Sequence, residues 1–232
     1  MRGRSVNAAG TADDAAFARA RLVGEIVAMA RACGAQTGRP ALSARVLAAI
    51  EEVPRHLFLP GTDTDIAYAN TALPIGHAQT ISQPFIVALM TDLADIGPED
   101  SVLEIGTGSG YQAAILARLA RRVRRVEIVP ALAAQARARL AALGYAVEVV
   151  AGDGCAGDPA HGPYDAILVT AAGPRIPPAL VAQLRVGGRL VMPVGEIDGA
   201  QILMRGVRLA QGGLALAECL DVRFVPLTGD AR

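Results

Sequence analysis

Apolar and polar positions follow two regimes along the chain. Over residues 15–36, Phe17, Leu22, Ile26, Val27 and Met29 recur among Arg and Glu at close to helical spacing. A break is expected at "GAQTGRP", and "ALSARVLAAIEEV" then predicts a second helix stopped by Pro54. "PRHLFLPGTDTDIAYANTALPIG" carries Pro and Gly throughout with no sustained period, so it reads as an ordered loop or a set of short pieces. "SQPFIVALMTDLADIG" predicts a further helix, with Ser82 as its N-cap and Pro84 in its first turn.

From residue 100 the pattern changes to strand–helix alternation. "SVLEIG", "RVRRVEIV", "AVEVVAGDG", "YDAILVTAA" and "GGRLVMPVG" predict strands. "YQAAILARLA", "ALAAQARARLAALG" and "PPALVAQL" predict the helices between them, and "AQILMRGVRL" and "LALAECLDVRFVPL" two closing strands. Short apolar strands in this order predict an α/β fold: a Rossmann-like doubly wound sheet with an N-terminal helical cap and a C-terminal strand pair. Its ligand should lie off the carboxyl ends of the strands.

Composition narrows the classes. With 232 residues and 52% hydrophobic content, the chain can build one sizeable core, so a single domain over 1–232 is expected. Residues 1–16 are expected to be disordered, 17–99 to form the helices and loop, and 100–232 the sheet. Twenty-two basic and 22 acidic residues balance to zero, which argues against a nucleic-acid partner. All the basic residues are arginine, so Schiff-base and phosphate-binding lysines are excluded. Cys33, Cys155 and Cys219 are far apart, and His56, His77 and His161 show no ligand spacing beside them, so no metal site is expected. The polar opening "MRGRSVNAAGTADDA" has no apolar leader, and no window of membrane-spanning length lacks charges. A cytoplasmic monomer without membrane partners is expected.

The strongest local signal is "VLEIGTGSGY", residues 102–111. Gly106, Gly108 and Gly110 follow a strand and open a helix, where glycine allows a tight turn and close approach to a ligand. The spacing is GxGxG rather than the dinucleotide GxGxxG. Glu104 precedes the loop, Glu127 ends the next strand, and Asp153 follows the third in "GDG". A carboxylate at the second strand end can accept from ribose hydroxyls, and one at the third from an adenine amino group. Glu127 reads alternatively as a solvated strand end beside Arg124 and Arg125, and Asp153 as an ordinary Asp-Gly turn. Three acids around a glycine loop suit a cationic nucleoside without phosphates, such as S-adenosylmethionine, better than a pyrophosphate.

Ser82 lies in "HAQTISQP" with no GxSxG elbow around it, so a hydrolase nucleophile is disfavoured. The pieces "VPRHLF", "LPIG", "QTISQP", "VLEIGTGSGY", "GDG", "YDAILVTAA", "GGRLVMPVG" and "VPL" occur in this order. In this the chain closely resembles protein-L-isoaspartate O-methyltransferases, from about residue 17 onward. The resemblance implies a class I methyltransferase fold and methyl transfer from S-adenosylmethionine to isoaspartyl residues of damaged proteins and peptides. It implies Ser82 as the active-site residue. Gln79, Thr80, Ile81, Ser82, Glu104, Gly106, Thr107, Gly108, Gly110, Glu127, Ile128, Asp153 and Gly154 form the expected cofactor site. Tyr68, Ile75, Thr170, Ala171 and Ala172 are the expected substrate contacts. Ala78 departs from the family, standing where bacterial relatives commonly have Gly, and should stiffen the loop. Two rival readings keep the glycine loop: a methyltransferase acting on a small molecule or RNA, and a non-catalytic adenosine binder.

Overall fold

The computed structural model describes residues 12–196 and 198–229. The first helix, α1 (Ala12–Thr37), is longer at both ends than its periodicity predicts. Disorder is therefore not found over 12–16, where Ala15 is buried; residues 1–11 lie outside the described residues. At the other end the helix runs through Gly34, whose bare Cα lets Pro40 pack against it; a β-carbon there would meet Pro40 Cβ at 2.6 Å. It stops at Gly38, which takes a left-handed φ of +65° and releases the chain. Helix α2 (Ala44–Glu52) starts where Ser43 accepts a hydrogen bond from the Val46 N–H.

Where the sequence shows only Pro and Gly punctuation, the structure places four short elements. A 3-10 turn (Arg55–Phe58) leads to α3 (Thr64–Ala67), then to an antiparallel hairpin of β1 (Leu73–Gly76) and β2 (Gln79–Ile81). Arg55 is fully buried and donates to the Ala67 and Thr71 carbonyls, at 2.9 and 3.3 Å, which ties this segment down. Desolvation pulls its pKa down to about 10. Helix α4 (Pro84–Leu93) buries nine of its ten residues, as its nearly continuous apolar sequence requires.

Seven strands form the main sheet: β3 (Ser101–Ile105), β4 (Arg122–Glu127), β5 (Val147–Ala151), β6 (Tyr164–Val169), β7 (Leu184–Gly195), β8 (Gln201–Arg208) and β9 (Leu214–Val222). Their order is β5-β4-β3-β6-β7-β8-β9; the first five in sequence run parallel, and β8 and β9 return antiparallel. Helices α5 (Tyr111–Ala117), α6 (Pro130–Ala142) and α7 (Pro178–Ala182) lie in the crossovers. The central strands are apolar on both sides, and alternation splits them between two cores. Val102, Ala166 and Leu168 join the core that contains α1, α2, α4 and α5. Leu103, Ile105, Ile167 and Val169 join the core that contains Leu180 of α7. Two of the arginines of "RVRRVE" turn inward: Arg124 pairs with Glu148 and Asp158, and Arg125, fully buried, with Glu104.

Candidate active site

In the sheet, β4 lies on one side of β3 and β6 on the other, so chain order reverses at β3. Such a switch point opens a crevice beyond the strand ends. The turn after β3 occupies it, with φ of +90°, +48° and +94° at Gly106, Gly108 and Gly110. A β-carbon at Gly106 would stand 2.6 Å from Thr170 Oγ1 at the end of β6, so only glycine fits both the conformation and the space.

Two buried charges on β4 pin this turn. The Arg125 guanidinium donates to Glu104 Oε1 (2.7 Å) and to the carbonyls of Gly106 (3.0 Å) and Thr107 (2.6 Å). Two residues on, and so on the same face, Glu127 accepts from the N–H groups of Thr107 (2.6 Å) and Gly108 (3.0 Å), and from Val129 (2.9 Å). One residue thus holds the carbonyls of the loop and the other its amides. Glu104 Oε2 is buried and has no hydrogen-bond partner among the described residues. Burial pushes the Glu104 carboxyl up to about 8, against the opposing pull of Arg125.

These groups wall one cavity together with the hairpin. Of the expected cofactor residues, Gln79, Thr80, Ile81, Ser82, Glu104, Gly106, Thr107, Gly108, Glu127, Ile128 and Gly154 line it. A second cavity, of about 560 Å³, adjoins it, lined by Met29, Cys33, Thr71, Ala72, the start of α4 and residues 220–225. Thr80, Ser82, Thr170 and Val225 belong to both, so the two spaces meet at Ser82. Ser82 is not the cap of α4. Gln83 holds that position, and the first free N–H, that of Phe85, donates to Asn70 Oδ1 at 3.0 Å. The Gln83 side chain donates in turn to the Asn70 carbonyl at 3.0 Å.

The structure separates other expected site residues from the cavities. Gly110 is not in the cavity wall: it starts α5, and a β-carbon on it would touch Leu140 at 3.4 Å, so it serves helix packing. Asp153 lies at the margin, where its carboxylate caps the turn Gly154–Ala156 through the Cys155 N–H (2.8 Å). Gly229 passes over it so closely that a β-carbon there would be 2.1 Å from Asp153 Oδ1. Tyr68 is 1% exposed and shares a hydrogen bond with His56 Nδ1 (2.9 Å), so it is a core residue rather than a substrate contact. Ile75 packs over Gly108 and lines neither of these two cavities; it faces a third, with Phe58 and Arg139, across the glycine loop. Thr170 lines both cavities and Ala171 the first. Ala172, 1% exposed, lines neither; it grips the C-terminal segment through Val225 O (2.8 Å) and Leu227 N (2.7 Å).

That grip explains the wall missing from the sequence reading. Val225, Pro226, Leu227 and Thr228 close the first cavity, and the only sequence signal for them is the "VPL" motif. Tyr111 and Gln112, directly after the glycine loop, also line it.

The wall fits a cationic nucleoside. The unpartnered Glu104 Oε2 suits an ammonium, and Glu127 Oε1 accepts one amide only, so it retains capacity for a hydroxyl donor. No arginine stands among the described lining residues to meet a pyrophosphate.

Known proteins agree with this reading. The family Protein-L-isoaspartate(D-aspartate) O-methyltransferase (PCMT) matches residues 33–232. Protein-L-isoaspartate O-methyltransferase 2 of Polaromonas sp. is 54% identical over 206 residues, 88% of this chain and 98% of its own. The Protein-L-isoaspartate O-methyltransferase of Methanoregula boonei is 57% identical over 194 residues, 83% of this chain and 88% of its own. A solved protein-L-isoaspartate O-methyltransferase superposes with a TM-score of 0.78 at 27% identity, covering 90% of this chain and 67% of that one. A Plasmodium falciparum structure, titled as a putative protein-L-isoaspartate O-methyltransferase in complex with S-adenosyl-L-homocysteine, shares the fold at a TM-score of 0.74 and 22% identity, covering 90% of this chain and 98% of that one. With a glycine loop pinned between buried charges, a serine where two cavities meet, and relatives matching nearly end to end, the chain belongs to the protein-L-isoaspartate(D-aspartate) O-methyltransferase family.

Proposed function

We propose that this chain transfers a methyl group from S-adenosylmethionine to the free α-carboxylate of L-isoaspartyl residues in damaged proteins and peptides. The observation that carries the reading is the meeting of two cavities at Ser82. One is walled by the glycine loop and acids, and the other, of about 560 Å³, is the roomier.

Bound S-adenosylmethionine supplies a methyl group on a positively charged sulfur. Glu127 would hold its nucleoside, and Glu104, whose Oε2 has no partner among the described residues, its cationic amino-acid portion. The protein's task toward the substrate is to aim and desolvate a carboxylate, which is ionised at neutral pH and needs no base. The four residues shared by the cavities, Thr80, Ser82, Thr170 and Val225, carry no charge. A charged clamp there would stabilise the resting carboxylate, whereas the Ser82 hydroxyl can orient it by one neutral hydrogen bond. Because α4 is capped by Asn70, the Ser82 hydroxyl is not needed for the helix. The methyl ester then closes to a succinimide that reopens in part to normal aspartate, which makes the transfer a repair.

We place this work in the cytoplasm, where the free thiols of Cys33 and Cys219 suit a reducing compartment. The test is transfer of a radiolabelled methyl group to paired peptides that differ only in isoaspartate or aspartate. Labelling of the isoaspartyl member alone is expected. Equal labelling of both, or of neither with cofactor binding intact, would overturn the assignment.

A further inference from the structure

Methyl transfer moves a group from one cavity to the other, so it must cross the place where they meet. Three hydroxyl residues stand there: Thr80, Ser82 and Thr170. Thr80 is exposed, and Asn70 spares the Ser82 hydroxyl from capping α4. Thr170, just past the end of β6, differs from both. Its Oγ1 lies 3.1 Å from the carbonyl oxygen of Ile105 and 3.0 Å from that of Gly106. A hydroxyl has one proton and two lone pairs. Turned away, the proton would leave three oxygens facing one another with nothing between them, so it points at the two carbonyls. Any other group that meets this oxygen meets a lone pair. Neither carbonyl depends on the hydroxyl. Ile105 O also accepts from the Thr170 N–H at 2.9 Å, and Gly106 O from Arg125 at 3.0 Å.

We propose that Thr170 is a specificity-determining residue: it holds an acceptor oxygen toward the sulfonium of S-adenosylmethionine and so favours the cofactor over its demethylated product. The proposal rests on the methyl-transfer reading above, which brings the reacting sulfur to the junction of the cavities. Cofactor and product differ at that sulfur alone. S-adenosylmethionine carries a positive sulfur with polarised C–H bonds around it, and S-adenosylhomocysteine a neutral thioether. A positive sulfur attracts a lone pair, directly and through those C–H groups. A thioether sulfur, with two lone pairs of its own, does not. The charge disappears in the transfer: a carboxylate oxygen forms a bond to the methyl carbon, the S–C bond breaks, and its electron pair stays on sulfur. The acceptor oxygen therefore loses its hold at the step that makes the product. The two hydroxyls divide the charges between them, Thr170 accepting toward the cation and Ser82 donating toward the carboxylate. A carboxylate side chain in place of Thr170 would hold the cation more tightly but would repel the substrate carboxylate beside it; a neutral oxygen discriminates without that cost.

The experiment is calorimetric titration of the full chain, and of its Thr170→Val and Thr170→Ser variants, with S-adenosylmethionine and S-adenosylhomocysteine in turn. Thr170→Val keeps the shape and removes the oxygen. It should weaken S-adenosylmethionine about two- to fivefold, the size of a C–H···O contact. S-adenosylhomocysteine should bind it unchanged, which also shows that the variant is folded. Thr170→Ser, which keeps the oxygen, should restore the wild-type ratio of the two affinities. Equal weakening of both ligands by Thr170→Val overturns the proposal, because a hydroxyl that only braces the glycine loop serves both alike. An unchanged ratio overturns it too, and a raised KM for the isoaspartyl peptide alongside would make Thr170 a substrate contact instead. Failure of the wild-type chain to bind either ligand overturns the methyl-transfer reading, and this proposal with it.

Discussion

Replacing Ala78 by glycine should stabilise the protein. His77 and Ala78 are the two residues that turn the β1–β2 hairpin, between the paired Gly76 and Gln79. Both are left-handed, with φ of +53° and +55°. A two-residue turn of this hand matches the twist of the flanking strands, which is why the hairpin adopts it despite the β-carbons. The left-handed conformation costs a residue with a β-carbon about 1–2 kcal/mol. Glycine escapes that strain, but its freer unfolded chain returns about 0.5–1 kcal/mol. Ala78 is exposed, so loss of its methyl group removes no core contact. The net expectation is a gain of about 0.5–1 kcal/mol, from the difference of those two terms. For a chain of this length that corresponds to a rise in Tm of roughly 1–4 °C. His77→Gly should shift Tm in the same direction by less, because histidine tolerates left-handed φ better than alanine. Calorimetric unfolding of the apo protein, with the two variants scanned at one pH and rate, measures this directly. A lower Tm for Ala78→Gly, or a higher one for Ala78→Val, would show that the turn is not left-handed and would refute the reasoning.

Ser82→Ala should lower turnover far more than S-adenosylmethionine affinity, with Tm nearly unchanged because Asn70 caps α4; a fall in Tm with full activity at low temperature would reverse the assignment. Glu127→Ala should weaken cofactor binding tenfold or more, since a charged acceptor's hydrogen bond is worth about 1.5–3 kcal/mol and the variant also frees the Thr107 and Gly108 amides; calorimetric titration tests it, and unchanged affinity would remove Glu127 from the site. The apo protein should lose stability as pH rises through the Glu104 titration. Burial lifts that carboxyl from 4.5 to about 8, so between these values the native state holds a proton that the unfolded chain has released. The stability this contributes is complete below the lower value and gone above the upper one. His56, pulled down by burial, works in the opposite sense near its ordinary pKa, so the readout is the difference between wild-type and Glu104→Gln Tm profiles across this range. Parallel profiles would show that Glu104 does not titrate there.

Local chemistry made much of the fold readable in advance. From Ser101 onward most strands and helices are short apolar runs or helical periods with Gly or Pro at one end or both, and these signals act within a few residues of one another. The same locality marked the glycine turn and put Glu104 and Glu127 at adjoining strand ends. The roles decided by tertiary structure depend on groups far apart in sequence. Ser82 reads as a helix cap until Asn70, fifteen residues before Phe85, takes the free N–H. Tyr68 looks like a loop residue until Arg55 and His56 draw its segment into the core. Ala172 reads as a cleft residue, yet it grips a tail more than fifty residues away, and that tail closes the first cavity. Periodicity and turn propensity report the preferences of neighbouring residues. A hydrogen-bond partner or a cavity wall exists only once the strands have taken their order, and here that order brings β6, the hairpin and the C-terminal segment to one crevice.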